Sequence, residues 1–271
     1  MELLNYTFFQ YALLGSLLTS ICCGIIGTYI VTRRLVFISG GITHASYGGI
    51  GIGLYTGISP ILSAAVFATL TAFGVEWMTT KKNIREDSSI AMFWTFGMAI
   101  GIIFSYLSPG YSPDLSYLFG NILTVETSDL WLLASISVLL ILFFSFFLRT
   151  IVSVAFDREF AQSQGIPVTF FEYILMFFIA ITIVGCLRMV GIVLVISLLT
   201  IPQMTANLFT NHFKRMIFYS ILISFLNCIG GLFISYYLEV PSGATIIFFT
   251  IIIYVLARIV YNLRLKNNKI K

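Results

Sequence analysis

The chain alternates between long apolar runs and short polar segments. A transmembrane helix needs about 20 predominantly apolar residues, and the runs predict about nine spans, within a range of eight to ten. They lie at approximately 8–31, 40–57, 60–79, 89–107, 130–149, 168–187, 189–208, 215–237 and 243–263. The runs are continuous, unlike the alternating segments of about 10 residues in an outer-membrane barrel. The pattern therefore predicts an all-α, polytopic helical bundle that forms a single transmembrane domain over 1–271.

Lysine and arginine residues orient the predicted bundle. Cytoplasmic loops of membrane proteins carry an excess of these residues. With the N-terminus outside and the C-terminus inside, 14 of the 15 basic residues fall on the inner side and only Arg188 falls outside. The sequence therefore predicts a multi-pass protein with a cytoplasmic C-terminus.

Thr150–Pro167 is a polar segment between two apolar runs. At 3.6 residues per turn it predicts a short cytoplasmic helix over about 156–165, ended by Gly165. Its candidate partner-docking residues are Phe156, Asp157, Glu159, Phe160, Ala161, Gln164 and Gly165. A helix that rests on lipid headgroups is the alternative, but such helices favour Lys and Arg on their polar face. A second inner loop, Arg33–Gly41, is also expected to be open to a partner.

His44 is the most notable polar residue expected inside a span. Thr43 and Ser46 lie beside it, and glycines crowd the same run, which permits close helix contact or a backbone that lines a cavity. Ionisable groups in spans usually face the bundle interior or a water path, and imidazole suits several transition metals. Two interpretations stay open: His44 packs and donates to a carbonyl, or it lines a cation path with Thr43 and Ser46.

Acidic residues dominate the predicted outer side. They make a face that attracts cations, with Asp114 and Glu239 as the candidate residues, unless exposed loops simply carry charge for solubility. The same side holds a predicted surface or re-entrant helix over 115–123. Two further carboxylates, Glu76 and Glu172, are expected at the inner membrane interface.

The composition is typical of a protein that lies in a lipid bilayer. The chain is 59% hydrophobic and 10% charged, whereas soluble domains carry about 25% charged residues. The four cysteines lie in apolar runs and are interpreted as small buried hydrophobes. No P-loop occurs in the sequence, so any ATP hydrolysis that drives transport takes place on another chain. Nothing in the sequence predicts an enzyme or a partner nucleic acid.

Three segments carry a resemblance to a known family. They are RRLVFISGGITHASYGG at Arg33–Gly49, YLFGNILTVETSD at Tyr117–Asp129 and VGIVLVISLLTIPQMTA at Val190–Ala206. In this order, the chain resembles the membrane subunits of bacterial ABC importers for divalent metal ions (zinc, manganese or iron). Phe156–Gly165 stands where such permeases place the coupling helix. One departure is that residues 39–41 are Ser-Gly-Gly, where the family often has an Asp before the His.

The resemblance implies a permease of the type II importer kind in the bacterial cytoplasmic (inner) membrane. The imported ion, zinc or manganese, is its substrate, and no resident cofactor is implied. Its partners would be a second copy of the chain in a homodimer, a cytoplasmic ATPase dimer on the inner loops, and an extracytoplasmic metal-binding protein.

An ion-coupled secondary transporter of cations is the alternative function. Such carriers usually need several intramembrane carboxylates and often repeated halves. The sequence shows no Asp or Glu in the middle of a span and no evident repeat. An intramembrane protease would need His44 to meet a serine such as Ser197 from another span, and no local sequence builds an oxyanion hole.

Overall fold

The computed structural model describes residues 6–82, 84–109, 120, 122 and 125–268. The regular elements of these ranges are helices: α1 Thr7–Thr32, α2 Val36–Thr56, α3 Pro60–Lys82, α4 Glu86–Leu107, α5 Thr127–Phe156, α6 Arg158–Ser163, α7 Val168–Leu198, α8 Ile201–Asn207, α9 Phe213–Leu238 and α10 Ser242–Asn268. The all-α prediction is therefore confirmed for this part of the chain. The helix predicted over 115–123 lies mostly outside the described residues.

Seven helical segments of the described chain are long and apolar enough to cross a membrane. They are α1, α3, α4, α5, the segment formed by α7 and α8 together, α9 and α10. α2 has 21 residues, which span about 31 Å at 1.5 Å per residue, but its glycines and polar residues make it less apolar. It is buried along most of its length, so its neighbours shield the polar positions.

Side-chain contacts define two ends of the bundle. At one end, called the α6 end, Arg33 and Arg158 meet Glu172. At the other, called the Arg188 end, Arg188 meets Glu126 and Asp129. Successive helices run between these two ends.

The segment α7–α8 leaves the α6 end and returns to it. Glu172, in its first turns, lies at the α6 end, whereas Arg188 lies at the opposite end. Asn207, its last residue, lines a groove of about 340 Å³ together with Arg34 and Phe156, back at the α6 end. The two predicted runs at 168–187 and 189–208 are therefore the two limbs of one hairpin.

Gly191 makes the turn between these limbs. Its backbone (φ 74°, ψ 168°) is non-helical inside α7, in a region that glycine adopts without steric cost. A second break at Leu199–Thr200 separates α7 from α8. The Gln203 amide donates to the carbonyls of Leu198 (3.0 Å) and Cys23 (2.8 Å). These two hydrogen bonds matter because irregular backbone at membrane depth is tolerated only inside protein or along a cavity.

The helices pack as two groups around α7. α2, α3 and α4 form one group, and α1 packs with α5 and α9 in the other, while α7 contacts members of both. Glycines bring α2 and α4 together: a Cβ on Gly97 would lie 2.6 Å from the Cα of Ala45, and one on Gly48 would lie 2.7 Å from the Gly97 oxygen. This confirms the expectation that the glycine-rich run permits close helix contact.

The connection between α1 and α2 corrects two expectations. α2 begins at Val36 rather than at residue 40, and the loop expected over Arg33–Gly41 is a tight turn. Arg34 takes a left-handed backbone conformation (φ 61°), and the Leu35 amide donates to the carbonyl of Ile30. These features make a Schellman-type helix end, with arginine where glycine is usual.

Candidate permeation and coupling sites

His44 lies on α2, half-buried, with its ring stacked on Trp94 of α4. The ring centroids are 4.4 Å apart and the planes differ by 7°. Its Nδ1 is buried and has no hydrogen-bond partner within the described chain. The expected hydrogen bond to a carbonyl is therefore not seen at this nitrogen, and the stacking on Trp94 fixes where the imidazole lies.

Thr43 and Ser46 are fully buried beside His44. Thr43 donates its hydroxyl to the carbonyl of Ser39, and Ser46 donates to the carbonyl of Thr43 at 2.6 Å. Each hydroxyl keeps acceptor lone pairs after donating. No group of three or more His, Cys, Asp or Glu residues that could hold a metal occurs in the part of the chain that the structure describes. Among the described residues, His44 therefore belongs to no such group.

The predicted short polar helix is present as α6, Arg158–Ser163. Asp157 begins it, because the Asp157 side chain accepts a hydrogen bond from the Phe160 amide at 2.9 Å, as N-cap residues do. Gly165 follows it with φ 76°, a left-handed conformation that suits glycine at a helix end. Local sequence thus determines both ends of this helix.

α6 presents one surface outward and one inward. Phe156 and Phe160 are 64% and 55% exposed, and Glu159, Gln164 and Gly165 are also exposed. Ala161 faces inward and is fully buried in a small cluster with Val154, Val168 and Phe171. The candidate docking residues therefore divide into an exposed set and one anchor, Ala161, that holds α6 against α5 and α7.

Glu76 and Glu172 correct the expectation of interfacial carboxylates. Both are buried, at 7% and 1% exposure. Thr80 donates to Glu76 at 2.7 Å, and two guanidinium groups supply positive charge to Glu172. A buried carboxylate is tolerated when it is paired. No spacing pattern indicates this arrangement, because Arg33 lies 139 residues from Glu172 along the chain and Arg158 lies on a separate helix.

The Arg188 end holds acidic residues that are predicted for the outer side. Arg188 pairs with Glu126 at 2.9 Å and with Asp129 at 3.0 Å, so this basic residue neutralises two of them. Glu239 is exposed, with φ 54°, just after α9. Asp114 lies outside the described residues. Glu239 is the outer acid that the described structure leaves without a recorded ion pair.

A model of the ABC 3 transport family matches residues 5–261. This chain belongs to the ABC 3 transport family. A family member in Synechocystis sp., an uncharacterized membrane protein, is 39% identical over 257 residues, which cover 94% of this chain and 92% of the relative. The manganese transport system membrane protein MntC of Halalkalibacterium halodurans is 33% identical, with 94% of this chain and 88% of the relative covered.

A solved structure agrees with this assignment. PsaBC from Streptococcus pneumoniae, in complex with Fab, has a TM-score of 0.84 at 27% identity, covering 94% of this chain and 92% of that chain. The ABC 3 transport family membership confirms the resemblance drawn from the three sequence motifs. The chain is a multi-pass membrane protein and an ABC permease, so its role is transport within a transporter complex rather than catalysis.

Proposed function

We propose that this chain is the membrane-spanning subunit of an importer for a divalent metal ion, manganese or zinc. The observation that carries the proposal is the match over 94% of the chain to a relative named for manganese transport. The ion is substrate, not a resident cofactor. The energy comes from ATP hydrolysis on a separate subunit.

In the membrane, the chain makes nine crossings as one permease domain over 1–271, arranged as a type II importer. The seven long apolar segments support this count, once α2 is added and the α7–α8 hairpin is counted as two crossings. The α6 end faces the cytoplasm of a bacterium, across its cytoplasmic membrane. Four basic residues lie at or near this end, as the positive-inside rule requires. They are Arg34, Lys82, Arg149 and Lys214.

A cytoplasmic ATPase dimer binds at α6. Exposed phenylalanines support this assignment, because aromatic side chains are enriched in protein interfaces and dominate their binding energy. The groove of about 340 Å³ beside Phe156 offers a concave surface next to the helix. Asp157, Glu159, Gln164 and Gly165 complete the exposed coupling surface.

The metal path passes His44 at the interface of a homodimer. His44 is half-buried and its Nδ1 has no hydrogen-bond partner in the described chain, which supports a role for the imidazole on this path. Two copies of His44 facing one path would supply two nitrogen ligands where one chain supplies one. A conducting site must also release its ion, which suits a sparse ligand set of His44 with the Thr43 and Ser46 oxygens.

An extracytoplasmic metal-binding protein docks on the Arg188 end. Asp114 and Glu239 raise the local cation concentration there. Pairing of Glu126 and Asp129 with Arg188 leaves Glu239 as the described carboxylate best placed for this effect.

The test is uptake of radiolabelled manganese and zinc into proteoliposomes that contain this chain, its ATPase and its binding protein. ATP-dependent accumulation that disappears without the ATPase supports the proposal, and the preferred ion identifies the substrate. Uptake driven by an ion gradient alone, in the absence of ATPase, would instead establish a secondary transporter.

A further inference from the structure

Glu172 is a buried carboxylate that joins three segments of the α6 end. Arg33, at the end of α1, donates from Nη2 to Glu172 Oε1 at 3.2 Å. Arg158, in the first turn of α6, places Nη2 at 3.1 Å from Glu172 Oε2. Glu172 itself belongs to α7. One carboxylate, 1% exposed, therefore connects α1, α6 and α7.

The two arms of this connection differ in strength. Arg33 is held twice, because its Nη1 also donates to the carbonyl of Val154 at 3.0 Å. The Arg158 contact is an ion pair without hydrogen-bond alignment, and its Nε is buried without a partner. The α1 arm is therefore fixed, whereas the α6 arm is the one that can separate and reform.

Arg33, the fixed arm, directly precedes the turn between α1 and α2, which links the two helix groups. α1 and α2 make few contacts with one another although they adjoin in sequence. Their link is the turn containing Arg34, whose left-handed backbone is unfavourable for any residue with a side chain. Strained backbone of this kind clusters at switch regions. Beyond the turn, α2 carries His44 and is closely packed against α4.

We propose that the Arg158–Glu172–Arg33 triad transmits displacement of α6 to the α1–α2 turn, and so to the helix that bears His44. This inference rests on the proposed function, and it identifies Arg158, Glu172 and Arg33 as positioning residues. While the Arg158–Glu172 pair holds, movement of α6 by the partner carries Glu172 with it, and Glu172 in turn moves Arg33 and the start of α2. None of the three side chains touches the ion.

Co-reconstitution with ATPase and binding protein tests the triad through the number of ATP molecules hydrolysed per metal ion imported. Arg158→Gln removes the separable arm from a side chain that is 39% exposed, so the core pair of Arg33 and Glu172 is kept. We expect ATPase activity within about twofold of wild type and uptake lowered at least about tenfold, in the range of ordinary coupling free energies. Arg149→Gln is the matched control, since Arg149 is exposed at the same end and has no recorded ion pair in the described chain.

Three further results distinguish transmission from simple stability. Arg158→Lys, which keeps the charge, should recover part of the coupling. Arg33→Gln combined with Arg158→Gln should uncouple no more than the stronger single change, because both break one path. A purely structural role would lower ATPase activity and uptake by the same factor, leaving their ratio unchanged, and that result would overturn the inference.

A distance measurement supplies a readout that does not need uptake. The native cysteines are buried, so spin labels at Gln162→Cys and Phe37→Cys report on α6 and on the start of α2, where both side chains are exposed. If the triad transmits the displacement, ATP leaves the distance between the two labels unchanged in the wild type. In Arg158→Gln, ATP broadens the distribution of this distance. An equal ATP response in both would contradict the triad. Loss of ATP-driven uptake in the wild type itself would refute the proposed function instead.

Discussion

At the scale of single residues, His44 combines a stacked ring with an unpartnered nitrogen. His44→Ala should lower ATP-driven metal uptake at least about tenfold, equivalent to about 1.4 kcal/mol, because the path loses its nitrogen ligand. Basal ATPase activity should persist, because His44 is not part of α6 and lies about 12 Å along α2 from Val36, at 1.5 Å per residue. The measurement is metal uptake and ATP hydrolysis in the same proteoliposomes.

His212→Ala is the matched control for that change. It removes the other histidine of the chain, which is exposed just before α9. Uptake should remain at the wild-type level. Normal uptake by His44→Ala would make His44 a packing residue and leave the family assignment untouched.

Gly97 illustrates a residue whose missing side chain is structural. Gly97→Ala would place a methyl group 2.6 Å from the Cα of Ala45, so α2 and α4 must separate. Overpacking of this kind costs about 1–3 kcal/mol. We expect the thermal midpoint of the purified permease to fall by several degrees, at about 2–4 °C per kcal/mol.

Gly40→Ala is the comparison for that experiment. The nearest atom to a Cβ on Gly40 is a Trp94 ring carbon at 3.6 Å, an ordinary contact. Alanine also has the higher helix propensity, by about 1 kcal/mol. The midpoint should therefore stay constant or rise, and an equal fall in both variants would show that helix separation is not the cause.

At the scale of elements, α6 is the segment best predicted by the sequence. Polar residues between two apolar runs locate it over about 156–165, with Gly165 at its end. The structure has the helix at Arg158–Ser163, with Gly165 just after it, and the Asp157 cap was not predicted. The start of α2 was missed by four residues, because arginine in a left-handed conformation closes the turn where glycine would be the usual signal. The burial of Glu172 was missed because Arg33 comes from a segment far away along the chain and Arg158 from a separate helix.

Phe160, which is exposed on α6, leads to a prediction about assembly. Phe160→Ala should raise the dissociation constant for the ATPase about 5- to 30-fold, equivalent to about 1–2 kcal/mol, while the permease keeps its thermal midpoint. Phe146→Ala is the control, because Phe146 is 79% exposed on α5. Binding can be measured with detergent-solubilised permease and purified ATPase, and equal affinities for both variants would contradict docking at α6.

Ala161 lies on the same helix, but its substitution is expected to affect stability as well as coupling. A bulky residue there has no space, because Ala161 is fully buried among Val154, Val168 and Phe171. Ala161→Leu should therefore lower the thermal midpoint as well as the coupling between ATPase and transport. Gly165→Val should act through the backbone instead, since its φ of 76° disfavours a β-branched residue.

At the scale of the whole molecule, the ends of the bundle differ in their accessible chemistry, which makes the orientation testable. A membrane-impermeant thiol reagent should label Glu239→Cys in intact cells and Gln162→Cys only after permeabilisation. Both positions are exposed at opposite ends, and the native cysteines are buried and unreactive to such a reagent. Labelling of Gln162→Cys in intact cells would reverse the proposed orientation.

The class of the molecule, a helical membrane bundle, was predictable from the sequence, but the way in which its helices group together was not. Apolar runs were enough to predict a helical bundle, whereas the orientation drawn from the basic residues stays a prediction. The hairpin of α7 and α8 corresponds to two of the predicted runs, yet no residue pattern indicated that two breaks, at Gly191 and at Leu199–Thr200, would shape its return. Such breaks depend on partners like Gln203, whose contacts exist only in the folded bundle.

The α7–α8 segment contains the most apolar stretch among the seven apolar segments, with a mean hydropathy of 2.6 over 18 residues, and that stretch is also the one most covered by protein. Lipid contact in the finished molecule therefore does not account for its apolarity. Hydropathy also governs insertion of a segment from the translocon into the bilayer, and at that stage the neighbours that will enclose α7 need not yet be assembled. Polar substitutions on this segment should then reduce the yield of inserted protein during biosynthesis, even where the folded bundle could accommodate them.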